Sequence, residues 1–517
     1  MMLFVVPALV GVTIPGPHEL PDPDTTPPDS TKPVKVYILS GQSNMVGFGR
    51  IAGIEPGTLE TITDAGMFPH LVDGDGAWTV RNDVMYRGVI SCFGNGPLRP
   101  GFGADGSVSG PELGFGHIMG YYHDEPVIVL KSSQGNRSIS WDYAPPSTEQ
   151  FTWFDGFTDW TYSAYGETFG RWETGRTPPV AEPGAWYAGK QWDDCFTDET
   201  DWAPMGITPV FNVTDILDNF ATEYPQYAEQ GFEIAGYGWW QGHKDKDEPH
   251  ASRYELNMVN FINDLRHYYE TRYPDKCIPD APFVLATVAF DGGWDNTSEG
   301  FLAVADGQLA VSGETGNYPD FEGNVKTVEA RGFWRDSSIS PTDTGYHYNH
   351  NAETFMLVGD ALGRALAEMI TPYFVDAGDN MVTWSDEPVD LDASVYGDVT
   401  VTSYEWTAEP ADGVVFTPND GGDGSTCSVE DPSVTISKPV GGPVTVALKL
   451  TVDDGVNPPV SNTITIDVYD TGCDATIGEG LKMAYDFDED CEIGLGDLAI
   501  VIEKWLTSTA SPGPVKK

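Results

Sequence analysis

The sequence is poor in cationic residues. Lys and Arg number 27 against 79 Asp and Glu, so the 517-residue chain has a formal net charge of −52. Nucleic-acid binding depends on clustered cations that neutralise phosphates, and this charge balance excludes nucleic acid as a partner. Uncharged glycans and divalent cations are compatible with it, although solubility alone also accounts for an acidic surface.

Cysteine and long apolar runs are scarce as well. Six Cys are too few for a disulfide scaffold in a chain of this length. The sequence contains no Cys-x-x-Cys pair, so a zinc site built from Cys is not expected. The apolar start, MMLFVVPALVGVTIPG, is too short for a membrane span and predicts, with the Pro- and Asp-rich stretch after it, a signal peptide and linker over residues 1–32. No later run is long enough to cross a bilayer, so we expect a secreted or cell-surface protein without a membrane span.

Residues 33–373 alternate between short apolar runs and segments of helical period. The runs KVYILS, EPVIVLKSS, GYGWWQG, FVLATVAF and VKTVEAR predict strands, and NAETFMLVGDALGRALAEMI predicts a long amphipathic helix that closes the region. Such alternation predicts an α/β fold of three layers, in which helices cover both faces of a parallel sheet. Ligands of such sheets bind at the carboxyl ends of the strands.

An insertion over residues 141–202 lacks clear periodicity and contains seven of the 15 Trp of the chain. Large aromatic side chains pin irregular loops by burying area, and aromatic faces also stack on sugar rings. Both interpretations stay open for these Trp residues.

The pattern of apolar and polar residues changes over residues 374–470. Short alternating runs separated by Gly, Pro, Asn and Asp predict a β-sandwich there. The segments VDAGDN, YEWTAEP and LTVDDGVNPP resemble the polycystic-kidney-disease (PKD) repeat, an immunoglobulin-like module. The resemblance implies a spacer or a binding module rather than a site of chemistry.

A candidate nucleophile lies in the segment YILSGQSNMVG. An apolar strand leads into a tight turn in which Ser43 stands between Gly41 and Gly47. A Ser at a strand-to-helix turn exposes its hydroxyl above the sheet, beside backbone N–H groups that can stabilise an oxyanion. A base is required within hydrogen-bond reach, and DTGYHYNHNAETF supplies His347, with His350 as a neighbouring competitor.

The segments GQSNM, WWQGHKD and GYHYNHNAETF occur in the order seen in the sialate O-acetylesterase and acetylxylan esterase family, a branch of the SGNH hydrolases. The resemblance spans about residues 35–370. It implies a flavodoxin-like sheet, Ser43 as nucleophile with His347 as base, hydrolysis of acetyl esters on carbohydrate, and no cofactor in catalysis.

The same resemblance implies three oxyanion donors. The first is the backbone N–H of Ser43, and the second is Gly135 in KSSQGNRSISW, which follows its strand. Many SGNH enzymes use Asn as the third donor, whereas this branch has Gln in a Trp-x-Gln-Gly context, which points to Gln241. Gly110 in SGPELGFGH matches another family segment but fits the start of a helix better.

The acid that would orient His347 departs from the pattern of the class. The class places Asp three residues before the His, where this chain has Thr344, and Asp343 lies one residue earlier. In some relatives the acid follows the Gln of the second segment, which points to Asp245. We favour Asp245 over Asp343, and a Ser–His pair without an acid also stays open.

Two acidic segments raise the question of metal. GHKDKDEPH matches no zinc signature and is typical of a solvated loop, so no catalytic metal is expected. DFDEDCEIGLGD, in the tail over residues 473–510, has the spacing of a calcium loop and resembles half of a type I dockerin, with a cohesin-like or cell-surface partner implied. The predicted calcium ligands are Asp486, Asp488, Asp490, Glu492 and Asp497. Cys491 occupies the usual turn Gly position and could instead pair with Cys473.

The sequence thus predicts a serine carbohydrate O-acetylesterase whose partner is an acetylated glycan. One alternative is a non-catalytic secreted glycan-binding or surface protein, which the missing Asp before His347 favours. A second alternative is an SGNH esterase that acts on lipid, aryl or other small esters.

Overall fold

The computed structural model describes most of the chain between residues 31 and 475. The described residues are 28, 31–73, 76–123, 125–178, 182, 184–197, 212–288, 292–313, 315–370, 374–378, 381–396, 400–418, 426–438, 441–455, 459–472 and 474–475. Nearly all of the predicted signal segment 1–32 lies outside them. The predicted calcium ligands Asp486, Asp488, Asp490, Glu492 and Asp497 lie outside them too, as do Cys473 and Cys491.

Two units divide the described chain, one within Pro15–Ile370 and the other within Thr371–Lys517. The strands of the first unit are β1 (Val34–Gly41), β2 (Gly49–Arg50), β3 (Val84–Ile90), β4 (Asn95–Pro97), β5 (Val108–Ser109), β6 (Val127–Ser133), β7 (Phe151–Phe154), β8 (Asp159–Tyr162), β9 (Arg171–Glu173), β10 (Phe232–Trp240), β11 (Phe283–Ala286) and β12 (Val325–Val328). Its helices are α1 (Ser43–Val46), α2 (Leu59–Asp64), α3 (Glu112–Tyr122), α4 (Lys190–Phe196), α5 (Val213–Asp218), α6 (Phe220–Glu223), α7 (Tyr254–Arg272), α8 (Glu299–Ala310) and α9 (Ala352–Ile370).

The main sheet of this unit has the strand order β12-β11-β10-β1-β6-β3-β4 among the described residues. Neighbouring strands are parallel except for β4, which pairs with β3 in the antiparallel sense. Strand β1 lies at the centre, between β10 and β6. The carboxyl ends of these three strands therefore lie side by side, and the segments that follow them share one edge of the sheet.

Both faces of the sheet are buried, which explains the near-continuous apolar runs of its strands. Val36 and Ile38 of β1 belong to a core cluster shared with α7, whereas the alternate residues Tyr37 and Leu39 belong to a second cluster shared with α3 and α9. The prediction of an α/β fold with a largely parallel sheet between two helical layers is confirmed. No helix among the described residues is both long and apolar enough to span a bilayer.

The predicted insertion contains more regular structure than its sequence indicates. Strands β7, β8 and β9 form a small antiparallel sheet, and α4 follows it. Trp192 on α4 is fully buried and packs edge-on against Phe196 and Phe261, so it fits the loop-packing interpretation. Trp202 lies outside the described residues.

The second unit consists of β-strands. They are β13 (Phe374–Asp376), β14 (Met381–Trp384), β15 (Pro388–Asp390), β16 (Ser394–Tyr396), β17 (Ser403–Glu409), β18 (Val414–Thr417), β19 (Thr426–Cys427), β20 (Ser433–Ile436), β21 (Val444–Asp453) and β22 (Val460–Tyr469). A five-stranded sheet, β14-β22-β21-β17-β19, and a three-stranded sheet, β15-β20-β18, share one apolar core around Trp406 and Phe416. The C-terminal region thus has its own sheets, as its alternating pattern predicts.

Candidate active site

The turn that carries Ser43 depends on two glycines. Gly41 ends β1 with φ +154°, and a Cβ at this position would overlap the carbonyl group of Trp240. Gly47 follows α1 with φ +101°, and a Cβ there would overlap the backbone of Gly110. Both positions therefore require Gly, the first for close approach to the neighbouring strand and the second also for its left-handed backbone.

Ser43 begins the short helix α1 at the edge of the sheet. Its side chain is half-buried, and among the described residues its hydroxyl makes no hydrogen bond to protein. The helix is closed by bonds from Val46 N to Gln42 O (3.0 Å) and from Gly47 N to Ser43 O (3.1 Å). The hydroxyl is therefore available to a base and to a substrate carbonyl.

Gly135, the predicted second oxyanion donor, lies directly against Ser43. A Cβ built on Gly135 would stand 3.4 Å from the Cβ of Ser43. The reason is topological, because β6 pairs with β1 up to Ser133 opposite Gly41, and Gly135 follows two residues later. The backbone N–H groups of Ser43 and Gly135 donate to no protein acceptor within the described ranges. Ser43 and the adjacent Gly135 thus each have an unpaired backbone donor.

Gln241, the predicted third oxyanion donor, has its amide group engaged elsewhere. Its side chain is buried, and Nε2 donates to the carbonyl of Arg137 (2.9 Å) and to Oδ2 of Asp245 (2.6 Å). Its Oε1 accepts from the hydroxyl of Tyr254 (3.1 Å). Both amide hydrogens are used by these two bonds. In this arrangement Gln241 holds the loop after β6 against the end of β10 and has no hydrogen left for an oxyanion.

Asp245, the favoured candidate for the orienting acid, makes no contact with His347 either. It is fully buried, and its carboxylate accepts from Ile139 N (2.9 Å), from Ser140 N (3.1 Å) and Oγ (2.5 Å), and from Gln241 Nε2 (2.6 Å). Four donors satisfy a buried carboxylate. The structure thus differs from the prediction: the Asp245 side chain positions the segment that follows Gly135.

His347 lies beside the turn of residues 41–47 that carries Ser43. Its ring stacks on Phe48, the residue after Gly47, with 3.9 Å between centroids and 9° between planes. The ring makes no hydrogen bond among the described residues, and the alternative acid Asp343 is exposed. Burial, followed by the nearby His350 and His243, lowers the pKa of His347 to about 4. His347 is therefore neutral at pH 7 and can accept a proton.

The backbone that presents His347 is left-handed over four consecutive residues, His347 to His350, with φ between 48° and 59°. Each such non-glycine residue costs roughly 1–2 kcal/mol relative to right-handed backbone. Buried side chains hold the turn in place. Tyr348 packs on Trp240 (5.1 Å between centroids), and Asn349 accepts from Gly345 N (3.0 Å). Trp240 is also the β10 partner of Gly41, so one residue anchors the turns of both Ser43 and His347.

A buried ion pair contacts the turn that carries Ser43. Lys131 on β6 and Glu112 on α3 are fully buried, and Lys131 Nζ donates to Glu112 Oε2 (2.5 Å), Val46 O (2.7 Å) and Phe102 O (3.0 Å). Glu112 Oε1 accepts from Gly110 N (2.7 Å). The pair therefore holds the last carbonyl of α1 and the backbone of Gly110, which packs on Gly47. Lys131 and Glu112 are not among the residues predicted above, although a Lys within an apolar strand requires a buried partner.

No cluster of three or more His, Cys, Asp and Glu side chains within the described ranges is arranged to hold a metal ion. In the segment GHKDKDEPH, His243 packs near Phe301 (5.5 Å between centroids), and His250 packs edge-on against Tyr162 (5.6 Å). These two His side chains contact aromatic rings.

No protein-family model matches the chain, and a search of curated proteins finds no match. Among solved structures, a protein from Arabidopsis thaliana is 15% identical, over 65% of this chain and 98% of its own, with a TM-score of 0.31. XAC1771, a carbohydrate acetylesterase from Xanthomonas citri, is 12% identical over 83% of this chain and 78% of its own, with a TM-score of 0.33. NanS is 11% identical over 60% of this chain and 84% of its own, with a TM-score of 0.31. TM-scores this low assign neither a family nor an activity to the chain.

Replacement of the two candidate acids is expected to have unequal effects. Asp245→Asn places a donor where the carboxylate now accepts four hydrogen bonds, so it is expected to destabilise the protein by about 2–3 kcal/mol and to displace the loop that carries Gly135. Asp343→Asn changes an exposed side chain and is expected to change the free energy of unfolding by no more than about 0.5 kcal/mol. Urea denaturation and ester hydrolysis measure both effects. A larger loss of activity in Asp343→Asn than in Asp245→Asn would contradict this account and make Asp343 the orienting acid.

Proposed function

We propose that the chain is a serine carbohydrate O-acetylesterase in which Ser43 is the nucleophile and His347 the general base, with no acid bonded to His347. The observation that supports the proposal is the Ser43 turn: the Ser43 hydroxyl and the backbone N–H groups of Ser43 and the adjacent Gly135 have no protein partner among the described residues, and a neutral imidazole stacks on Phe48, the residue that follows the turn. These are the parts that acyl transfer requires.

The reaction would proceed through an acyl-enzyme. His347 takes the proton of the Ser43 hydroxyl, and the Ser43 oxygen attacks the acetyl carbonyl carbon. The backbone N–H groups of Ser43 and Gly135 donate to the resulting oxyanion, and each such donor lowers the barrier by about 3 kcal/mol. His347 then returns its proton to the leaving sugar oxygen. In the second half a water molecule, deprotonated by His347, hydrolyses the acetyl-Ser43 ester to acetate and restores Ser43.

The proposed substrate class rests on the three motif segments and on charge. The segments GQSNM, WWQGHKD and GYHYNHNAETF resemble those of enzymes that deacetylate sugars, and the net charge of −52 suits uncharged glycans. An extracellular location fits such a substrate. Among the described residues no acid bonds to His347, and this observation favours the rival function, a glycan-binding protein without activity.

Acetate release tests this proposal. The full chain is incubated with acetylated xylan, with an O-acetylated sialoside and with 4-nitrophenyl acetate, and acetate is quantified. The proposal predicts release from at least one acetylated carbohydrate. Hydrolysis of the aryl ester alone would indicate an esterase for small esters, and no release from any of the three would support the binding protein.

The pH dependence of the reaction is expected to follow His347. Only neutral His347 accepts the Ser43 proton, so kcat/KM falls as the pH drops through its pKa, which burial lowers to about 4. We therefore expect the acidic limb near pH 4, well below the value for an exposed His of about 6.5. Phe48→Leu removes the ring that covers His347 and is expected to move the limb toward higher pH. If kcat/KM of the unaltered protein fell near pH 6.5, and activity recovered fully on return to pH 7, the lowered pKa of a buried His347 without an acid partner would be contradicted.

A further inference from the structure

A cleft of about 520 Å³ lies beside the candidate active site. It is bounded by the loop after β6, by the small sheet β7–β9 of the insertion and by the loop after β10. Its lining includes Ser138, three residues beyond Gly135, and Lys244, whose backbone N–H donates to Oε1 of Gln42 (3.4 Å). Gly135 lies against Ser43 and Gln42 precedes it, so two lining residues are tied closely to the turn that carries Ser43.

Two aromatic side chains give the cleft apolar surface. Tyr162 is held rigidly, since one face stacks on Phe151 (4.8 Å between centroids, 11° between planes) and His250 packs against it edge-on. Trp141 also lines the cleft and is half-buried. Among the described residues, its indole ring pairs with no aromatic or cationic side chain, and its indole N–H donates to no protein acceptor. Trp141 therefore offers a ring face and a donor to a ligand.

The charged groups around the cleft are of both signs. Lys244 and Arg171 oppose Asp142, Asp247 and Glu248. Asp142 already accepts from Ser138 N (2.9 Å) and Oγ (3.1 Å). Interspersed donors and acceptors suit the hydroxyl groups of a neutral sugar, whereas an acidic sugar would have to approach a chain whose net charge is −52.

We propose that this cleft binds a neutral sugar ring adjacent to the acetylated one, stacked on Trp141, so that the substrate is a neutral acetylated oligosaccharide or polysaccharide and not an acidic sugar such as a sialoside. The inference deepens the proposed function and rests on it. It also gives the insertion a role, because Tyr162 and Arg171 belong to strands β8 and β9.

The test is a binding measurement that requires no turnover. Ser43→Ala in the full chain is titrated calorimetrically with xylohexaose, mannohexaose, cellohexaose and hexagalacturonate. At least one neutral hexasaccharide is expected to bind more tightly than hexagalacturonate. Adding Trp141→Ala is expected to weaken that binding about tenfold, whereas Trp172→Ala, a half-buried Trp on β9 that does not line the cleft, is expected to leave it unchanged.

Failure of this inference is distinguishable from failure of the proposed function. The cleft proposal is overturned if no neutral hexasaccharide binds, if hexagalacturonate binds most tightly, or if Trp141→Ala has no effect, even when the protein hydrolyses 4-nitrophenyl acetate. Trp141-dependent binding of a neutral hexasaccharide by a protein that releases no acetate would uphold the cleft as a glycan site and overturn the esterase.

Discussion

Ser43→Ala is expected to lower kcat/KM for acetylated substrate by a factor on the order of 10⁴ or more. The substitution removes the atom that attacks the carbonyl while leaving the two backbone N–H donors in place. Ser43 makes no side-chain hydrogen bond among the described residues, so its loss is not expected to change the free energy of unfolding by more than about 0.5 kcal/mol.

A matched control for this variant is Ser147→Ala, an exposed Ser in the loop after β6 whose hydroxyl bonds to no protein group among the described residues. It is expected to retain the activity of the unaltered protein. Steady-state hydrolysis of the best acetylated substrate measures both variants, with circular dichroism to verify the fold. A Ser43→Ala protein with a tenth or more of the original activity would exclude Ser43 as nucleophile.

Lys131→Met is expected to destabilise the first unit by about 3–5 kcal/mol. The substitution leaves the Glu112 carboxylate buried without its cation, and it removes the donor that satisfies the carbonyls of Val46 and Phe102. Burial already raises the pKa of Glu112, and loss of the Lys131 charge would raise it further, so the carboxyl is expected to take up a proton. Urea denaturation of the full chain measures the loss.

Two further variants locate the origin of this effect. Glu112→Leu added to Lys131→Met is expected to recover part of the lost stability, because the second change removes the unpaired carboxylate. Lys35→Met breaks the partly exposed pair of Lys35 with Glu233 at the other end of the sheet and is expected to cost at most about 1 kcal/mol. If Lys131→Met and Lys35→Met lowered the free energy of unfolding equally, burial of the Lys131–Glu112 pair would not account for the effect of Lys131→Met.

The sequence predicted the strands that are buried on both faces. The apolar stretches YIL and VIVL belong to β1 and β6, which are buried along nearly their whole length. Strand β3 was missed because Arg87 and Gly88 interrupt its run, and its partner β4 is an exposed edge of three residues. Periodicity reports burial, so it fails where a strand is short, exposed or interrupted.

The candidate site was predictable where it follows from backbone topology. Ser43 and Gly135 meet because adjacent parallel strands end together, which the order of apolar runs indicates. The hydrogen bonds that Gln241 and Asp245 make to the loop after β6 could not be predicted, because that loop lies about a hundred residues earlier and has no periodicity. The same holds for the Lys131–Glu112 pair, whose two members sit in separate apolar segments and meet only in the folded chain.

Covalent labelling tests whether Ser43 is an activated nucleophile. The full chain is treated with a fluorophosphonate, which reacts with Ser side chains that a base activates, and the digested protein is examined by mass spectrometry. We expect a label on the peptide that contains Ser43, loss of that label in Ser43→Ala, and a slower reaction in His347→Gln. Absence of any label, or a label on another Ser that persists in Ser43→Ala, would contradict this expectation.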